Sequence, residues 1–408
     1  MSITLNGTTG ITTPDIDSTA APDLVGTNFT SLPSAQLTGA LPAIDGSSLT
    51  GIPLSNPNLV INGSMEINQR GNKTGLTTTG YTLDRHNLEI VNMGTLSVTQ
   101  DTDVPAGLGF SKSMKIQCTA TQALDVGSSR LYFIHRTEGF DSVQTMYGTA
   151  DAKDVTLSFW IKANRSQTLS VNFENEATSG ANPDQGYQTS QAYTTADTWQ
   201  KMSVTIPGDT RTGMGFVFDS AKALCFEISL STGYTSVTPS ATWSTLNNAQ
   251  RHGHNTEHFA DSTSNYFNIT GVKLELGDTA TPFEHISYGD QLQKCMRYFQ
   301  KFSAEDSLYQ RYSTGICFSA TSCSSLMALP VTMRAKPTIG TSGTASHFAI
   351  LHKNSAVSTL TSTPTISSSG TNSSQVTLTG ATTGLTVDNV GQLIAKSTSA
   401  YLAFDAEL

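Results

Sequence analysis

The sequence predicts a mainly β protein. It should have a thin trimeric N-terminal shaft, an antiparallel, jelly-roll-like β-sandwich head, one short helix near residues 289–298 and a C-terminal β domain. Three observations lead to this prediction. Ser and Thr supply 108 of the 408 residues, and with 33 Gly they disfavour long helices and suit strands and turns. Several segments alternate apolar and polar side chains with a period of two. The first 57 residues show neither helical nor strand periodicity.

A short sequence pattern is repeated within the N-terminal region. Residues 26–33 and 46–53 lie twenty apart and share single apolar residues set among Gly, Ser and Thr, each ending in Pro. One such chain cannot bury these side chains against itself, whereas parallel copies wound round an axis can. We therefore expect a homotrimeric shaft over 26–57 after a separate segment 1–25; the alternative is a disordered linker. The residues expected to pack along the shaft are Phe29, Leu32, Leu37, Leu41, Ile44, Leu49 and Ile52.

The region 58–286 has the pattern of a β-sandwich. Many alternating strands with one polar face are typical of antiparallel sandwiches, and no strand–helix–strand alternation supports a parallel sheet. In the clearest segment Val155, Leu157 and Phe159 face one side, while Trp160 faces the other. The strands are expected at 59–61, 155–161, 168–173, 200–206, 225–230 and 267–276.

The region 287–408 is predicted to hold the helix and a second β domain. Ser287 and Asp290 resemble a capping box in which Asp replaces the usual Glu. Leu292, Met296 and Phe299 follow at helical spacing, so a helix over about 289–298 should pack this stripe on a sheet. Strands are expected at 315–319, 325–330 and 392–396, and the Ser/Thr-rich stretch 359–386 should form surface hairpins or loops.

Charge and cysteine content exclude several classes of protein. The net charge is −9 with only 23 Lys and Arg, which disfavours nucleic-acid binding. No apolar run is long enough for a membrane span, and residues 1–10 lack the basic and apolar regions of a signal peptide. The five cysteines are odd in number and form no CxxC pair, so we expect buried, reduced thiols that do not affect folding. Cys317 and Cys323 flank a predicted turn and are the one pair to be tested for a disulfide.

Three ordered motifs resemble a known family. They are Asn-Leu-Val-Ile-Asn-Gly-Ser-Met-Glu-Ile-Asn-Gln-Arg-Gly at 58–71, Tyr-Thr-Leu-Asp-Arg at 81–85, and the stretch 283–299 that begins Phe-Glu-His-Ile-Ser-Tyr-Gly-Asp. As a set they resemble bacteriophage tail-fibre and virion proteins whose distal part is a carbohydrate-binding-module-like β-sandwich. The Leu-Thr-Gly-x-Pro pattern that precedes them resembles the slender trimeric shafts of phage fibres. The resemblance covers roughly residues 25–300.

The resemblance implies a role on the virion. It implies a homotrimer that contacts a tail or baseplate protein through residues 1–25, is assembled in the host cytoplasm and binds a host surface polysaccharide or lipopolysaccharide. No nucleic acid, membrane insertion or cofactor is expected. The leading hypothesis is a non-enzymatic receptor-binding fibre. The alternatives are a structural virion fibre or decoration protein and a glycan-cleaving enzyme; no catalytic motif favours the enzyme.

Candidate ligand contacts lie in polar loops, because loops on a rigid scaffold often bind ligands. Aromatic rings there can stack on sugars, and Trp243 is a better loop candidate than Trp160 or Trp199, which suit packing. The loops expected to bind are 177–187, 234–243 and 362–374, and their low charge suits neutral sugars; an ordinary solvated hairpin is the alternative. The candidate binding residues are Asn182, Asp184, Gln185, Tyr187, Tyr234 and Trp243.

Two further groups of residues are candidates for metal binding or catalysis. His252 and His254 lie on one face of an extended segment, and three copies near an axis could ligate a metal, but the favoured interpretation is a polar loop. Glu174 and Glu176 are spaced so that a carboxylate pair is possible, as glycoside hydrolysis would need. Neither group identifies a site, so no metal and no catalytic residue is assigned.

Overall fold

The computed structural model describes residues 57–176, 185–234, 239–245, 257–304, 307–382 and 384–408. Residues Pro53–Leu408 form one compact unit. The predicted shaft and the segment 1–25 lie outside the described residues, so the trimeric shaft and its packing side chains stay predictions. None of the helices within the described ranges is long and apolar enough to cross a bilayer.

The first part of the described chain is an antiparallel β-sandwich, as predicted. One sheet has six strands in the order β1-β4-β5-β13-β7-β10, and the other has seven in the order β12-β9-β8-β11-β6-β3-β2. A four-residue helix α1 spans Gly139–Ser142, and short 3₁₀ turns cover Val143–Thr145 and Phe259–Asp261. The strands are β1 Lys73–Leu76, β2 Gly80–Tyr81, β3 Asn87–Val91, β4 Thr95–Asp101, β5 Ser113–Ala120, β6 Arg130–Glu138, β7 Val155–Ala163, β8 Gln167–Asn175, β9 Gln185–Tyr193, β10 Gln200–Ile206, β11 Lys222–Thr232, β12 Ser244–Thr245 and β13 Tyr266–Leu276.

The core lies between these two sheets. Alternate residues of each strand point inward, because successive side chains of a strand face opposite sides. In β7 the predicted inward set beginning at Val155 is fully buried, and in β8 Leu169, Val171 and Phe173 face it from the other sheet. The alternation predicted for 155–161, 168–173, 200–206, 225–230 and 267–276 is therefore confirmed, with longer strands than expected.

The strand predicted at 59–61 is wrong, because this segment forms a turn. The buried Asn62 side chain organises it, accepting from the Ile67 N–H at 3.0 Å and donating to the Ile67 and Asp84 carbonyls at 2.9 and 3.0 Å. Gly63 is required there, since a Cβ would lie 2.0 Å from the Val272 carbonyl oxygen. Side-chain hydrogen bonds and isolated backbone bonds to β13 thus replace the continuous ladder that the apolar run suggested.

The C-terminal part contains a helix and two antiparallel sheets. Helix α2 spans Tyr288–Met296, and the Ser287 side chain accepts from the Asp290 N–H at 3.2 Å, which confirms the cap. The sheets have the orders β14-β23-β17 and β19-β18-β22-β15-β16-β21-β20, and 3₁₀ turns cover Ala345–His347 and Lys353–Ser355. The strands are β14 Phe299–Ser303, β15 Arg311–Ser319, β16 Ser322–Ala328, β17 Thr338–Thr341, β18 Phe348–His352, β19 Ala356–Thr359, β20 Thr365–Ser369, β21 Ser373–Leu378, β22 Val390–Ala395 and β23 Tyr401–Asp405.

The expectation that all five cysteines are reduced is wrong for one pair. Cys317 and Cys323 stand directly opposite each other on β15 and β16 and form a disulfide. The short turn between the strands sets this register, which brings the two thiols, six residues apart in sequence, into bonding range. Cys118, Cys225 and Cys295 are free and buried, as predicted.

Breaking this disulfide is expected to lower the free energy of unfolding by about 2 kcal/mol, because the loop that it closes is short. The comparison is Cys317→Ser/Cys323→Ser against Cys118→Ala, monitored by urea unfolding with and without reductant. Reductant should destabilise the wild type and leave the double variant unchanged. Equal unfolding curves for the wild type in both conditions would show that the bond contributes nothing.

The motifs at 58–71, 81–85 and 283–299 meet where the sandwich packs on the C-terminal domain. The fully buried Arg85 guanidinium bonds Glu407, donates to the Arg136 carbonyl at 2.5 Å and lies 3.5 Å from the Tyr298 ring centroid. Arg70 bonds Glu407 at 3.1 Å and Asp405 at 2.9 Å. Several residues of these motifs therefore join the sandwich to the C-terminal helix and strands.

Candidate functional site

The structure brings two of the predicted ligand residues together, Tyr187 and Trp243. Their ring centroids lie 5.9 Å apart, and Tyr147 joins them at 5.5 Å from Trp243. Tyr187 faces the sandwich core and is only 8% exposed, while the half-buried Trp243 donates its indole N–H to the Pro207 carbonyl at 2.7 Å. This cluster closes one edge of the core, and its aromatic faces are occupied by one another.

The other predicted contacts fall into two groups. Gln185 is buried, accepts from Arg211 at 2.7 Å and donates to Thr245 at 2.6 Å, so its side chain is engaged within the protein. Tyr234 is partly buried near the end of β11, and its backbone N–H donates to the Thr232 hydroxyl at 3.1 Å. Asn182, Asp184, His252 and His254 lie outside the described residues.

The two tryptophans assigned to packing are half-buried. Trp199 donates its indole N–H to Asp103 at 2.9 Å. Trp160 lies against Gly271, where a Cβ would be 3.0 Å from the indole Cδ1. Both rings therefore have neighbours on the six-stranded sheet, in agreement with the packing interpretation.

A polar face lies on the outer side of the seven-stranded sheet. Its outward side chains, which we call the polar face, are Gln188, Asn172, Glu227, Ser229 and Tyr132. Gln188 stands opposite Asn172, Asn172 opposite Glu227, and Ser229 opposite Tyr132. Adjacent strands are about 4.8 Å apart, so these groups form a two-dimensional array of hydrogen-bonding side chains.

The polar face combines strong burial with hydrogen-bonding capacity. Gln188 is fully buried, and within the described ranges neither its amide oxygen nor its amide nitrogen has a hydrogen-bond partner. Leaving such a group unpaired costs about 1–3 kcal/mol. Burial also raises the pKa of the Tyr132 phenol well above its usual value, so the hydroxyl remains a donor at neutral pH. All five side chains are 0–4% exposed, so a ligand has to displace covering protein atoms to reach them and has to offer both donors and acceptors.

Charges at the margin of this face are mostly paired. Arg136 bonds Glu176 at 2.8 Å, and Lys222 lies 3.8 Å from the same carboxylate. Glu174, the other half of the candidate carboxylate pair, is 5% exposed on the outer side of β8. Glu176 is thus held in an ion pair just after the strand. The acidic residues of the face disfavour anionic ligands. Within the described ranges no group of three or more His, Cys, Asp and Glu is arranged to hold a metal.

Sequence reasoning missed the polar face, although part of its signal was present. The alternation in β8 predicted polar outward residues such as Asn172. The neighbouring strand β9, with the sequence Gln-Gly-Tyr-Gln-Thr-Ser-Gln-Ala-Tyr, has too few apolar residues to be recognised as a strand. Gln188 could be found only once β9 was paired with β8.

Comparisons with known proteins concern the fold. No family model matches this sequence, and no curated protein sequence matches it. Among solved structures, the enzymatically active domain of tailspike protein 4 of bacteriophage CBA120 is 15% identical over 54% of this chain and 21% of its own, with a TM-score of 0.28. The xylan-binding CBM22-1 domain of Paenibacillus barcinonensis Xyn10C is 9% identical over 55% of this chain and 98% of its own, with a TM-score of 0.26. A family 11 carbohydrate-binding module from Clostridium thermocellum is 10% identical over 53% of this chain and 98% of its own, also with a TM-score of 0.26. These neighbours are carbohydrate-binding-module-like β-sandwiches and one phage tailspike domain.

Proposed function

We propose that this protein binds an uncharged glycan through the polar face of its sandwich. The observation that carries the proposal is the buried Gln188 amide, for which no described residue is a hydrogen-bond partner at either atom. A sugar hydroxyl both donates and accepts, so two hydroxyls could satisfy both amide atoms. Asn172 and Ser229 on adjacent strands extend the same array.

The biological role that fits this chemistry is attachment of a virion to its host. We infer a non-enzymatic phage tail-fibre protein, assembled as a homotrimer and joined to a tail or baseplate protein through residues 1–25. Its target is a host surface polysaccharide or lipopolysaccharide. The motifs at 58–71, 81–85 and 283–299 and the shaft-like texture of 26–57 support this role. Several weak sites on one virion would together give useful avidity.

Gln188→Ala is expected to weaken glycan binding about tenfold, the loss expected when about 1.4 kcal/mol of hydrogen bonding to the ligand disappears. The free energy of unfolding is measured alongside, because truncating a fully buried side chain also leaves a cavity. The full chain is measured by affinity electrophoresis in neutral polysaccharides and by binding to bacterial strains and their lipopolysaccharides. Gln144→Ala, an exposed residue near α1, is the matched control.

The alternatives give different results in the same assays. A wild-type protein that binds no polysaccharide, lipopolysaccharide or strain supports a structural fibre or decoration protein. Release of reducing ends from a bound polysaccharide supports a depolymerase. Equal binding by Gln188→Ala and wild type removes the polar face from the proposal.

A further inference from the structure

A groove of about 880 Å³ opens on the outer face of the C-terminal seven-stranded sheet. Its apolar floor is formed by Ile316 and Phe318 of β15 and Leu326 of β16, which are 57%, 55% and 64% exposed. The β20–β21 strands supply one wall. Seven of the thirteen lining residues are Ser or Thr, one is Gln375, and none is charged.

The strand pairing explains how the groove forms. Cys317 and Cys323 point into the domain core, so their neighbours Ile316, Phe318 and Ser324 point outward. Leu326 stands opposite Gln375 of β21, which places hydroxyl and amide groups beside the floor. The Ser/Thr-rich stretch 362–374, a predicted ligand loop, contributes to the wall.

Three large apolar side chains exposed side by side indicate a binding surface. A second copy of the chain and a sugar are the two occupants that an uncharged groove allows. Ser is depleted in protein–protein interfaces, yet Ser residues are the most frequent type in this lining. The composition therefore favours the sugar.

We propose that this groove is a second binding site for a neutral glycan, separate from the polar face; it extends the glycan-binding function proposed above and rests on it. The C–H face of a sugar ring would pack on Phe318 and Leu326, and ring hydroxyls would bond the walls. The Gln375 amide nitrogen donates to Ser324 at 2.6 Å, and no described residue donates to its amide oxygen. The amide oxygen is therefore available to a sugar hydroxyl.

Leu326→Ala tests the groove, and Leu308→Ala is its matched control. Both leucines are exposed, at 64% and 52%, and Leu308 does not line the groove. The full chain is run in affinity gels cast with soluble xylan, mixed-linkage β-glucan or mannan, and in alginate as the anionic comparison. Leu326→Ala should bind the retarding neutral polysaccharide at least about tenfold more weakly than wild type, as expected for loss of a buried leucine contact. Leu308→Ala should match wild type, and alginate should retard no variant.

The outcomes separate this site from the polar face. If Gln188→Ala loses affinity while Leu326→Ala binds as wild type does, the groove proposal is overturned and the proposed function stands. If Leu326→Ala keeps its affinity but changes the sedimenting mass, the groove is a contact between copies. A wild-type protein retarded by no neutral polysaccharide overturns both proposals. Weakening by both single variants, with a greater loss in the double variant, supports two sites.

Discussion

Glu407→Gln is expected to lower the free energy of unfolding by about 3–5 kcal/mol, the usual result of removing one partner from a buried ion pair. Glu407 is the shared acceptor of Arg85 and Arg70, and its side chain is only 4% exposed. Burial acts to lower the pKa of Arg85, but the Glu407 carboxylate raises it, and the net shift is upward. Arg85 therefore stays charged, and the variant would leave that charge buried without its counter-ion.

The matched control for this variant is Glu89→Gln. Glu89 pairs with Arg130, but both side chains are about a quarter exposed, so its loss should change the free energy of unfolding by less than about 1 kcal/mol. Urea unfolding followed by tryptophan fluorescence and by far-UV circular dichroism measures both variants. Equal, small losses in the two variants would mean that the junction does not depend on this ion pair.

His135→Phe is expected to make the protein less sensitive to acid than the wild type. His135 is buried on the inner face of β6, and its ring stacks on that of Phe226 at a centroid distance of 5.7 Å. Burial, helped by the nearby charge of Arg85, holds the pKa of His135 well below 6.5. The unfolded chain therefore binds one proton that the folded chain does not. Stability from this group is fully present above pH 6.5 and is lost as the pH falls.

Each such proton changes the free energy of unfolding by about 1.4 kcal/mol per pH unit. The gap between His135→Phe and wild type should thus widen by about 2 kcal/mol between pH 6.5 and pH 4.5, because the unfolded histidine is already half protonated at pH 6.5. Near pH 8 the two should agree within about 1 kcal/mol, because Phe replaces a buried neutral ring of similar shape. Denaturation midpoints at half-unit pH steps measure the gap, and parallel curves would contradict a buried neutral imidazole.

His86 and Asp84 change the pH dependence of the wild-type free energy of unfolding in opposite directions. Burial lowers the pKa of His86 to about 4, so its contribution is also lost as the pH falls from 6.5 towards 4. Burial raises the pKa of Asp84 to about 6, so its contribution is fully present below 3.8 and is lost as the pH rises through 6. These two shifts nearly cancel, and the difference between variant and wild type is therefore the informative quantity.

The parts of the fold that alternate strongly could be predicted from sequence. The segments 155–161 and 200–206 give period-two patterns because one face of each strand meets the core, and the Ser287 cap is encoded by two residues three apart. The strand β9 could not be predicted, since Gln and Ser occupy positions that only its neighbours bury. The turn at 60–64 could not be predicted, because the Asn62 side chain bonds to a carbonyl 22 residues away.

The sequence by itself determined the mainly β class, the antiparallel strands and the short capped helix, because these depend on periodicity and on contacts between near neighbours. Only the tertiary structure decided which polar side chains share a surface, since Gln188, Asn172 and Glu227 come from three strands that pairing brings side by side. It also decided that Cys317 and Cys323 bond and that Ile316, Phe318 and Leu326 form one groove floor. Strand register sets all three results, and register depends on the burial of a whole sheet face rather than on any one segment.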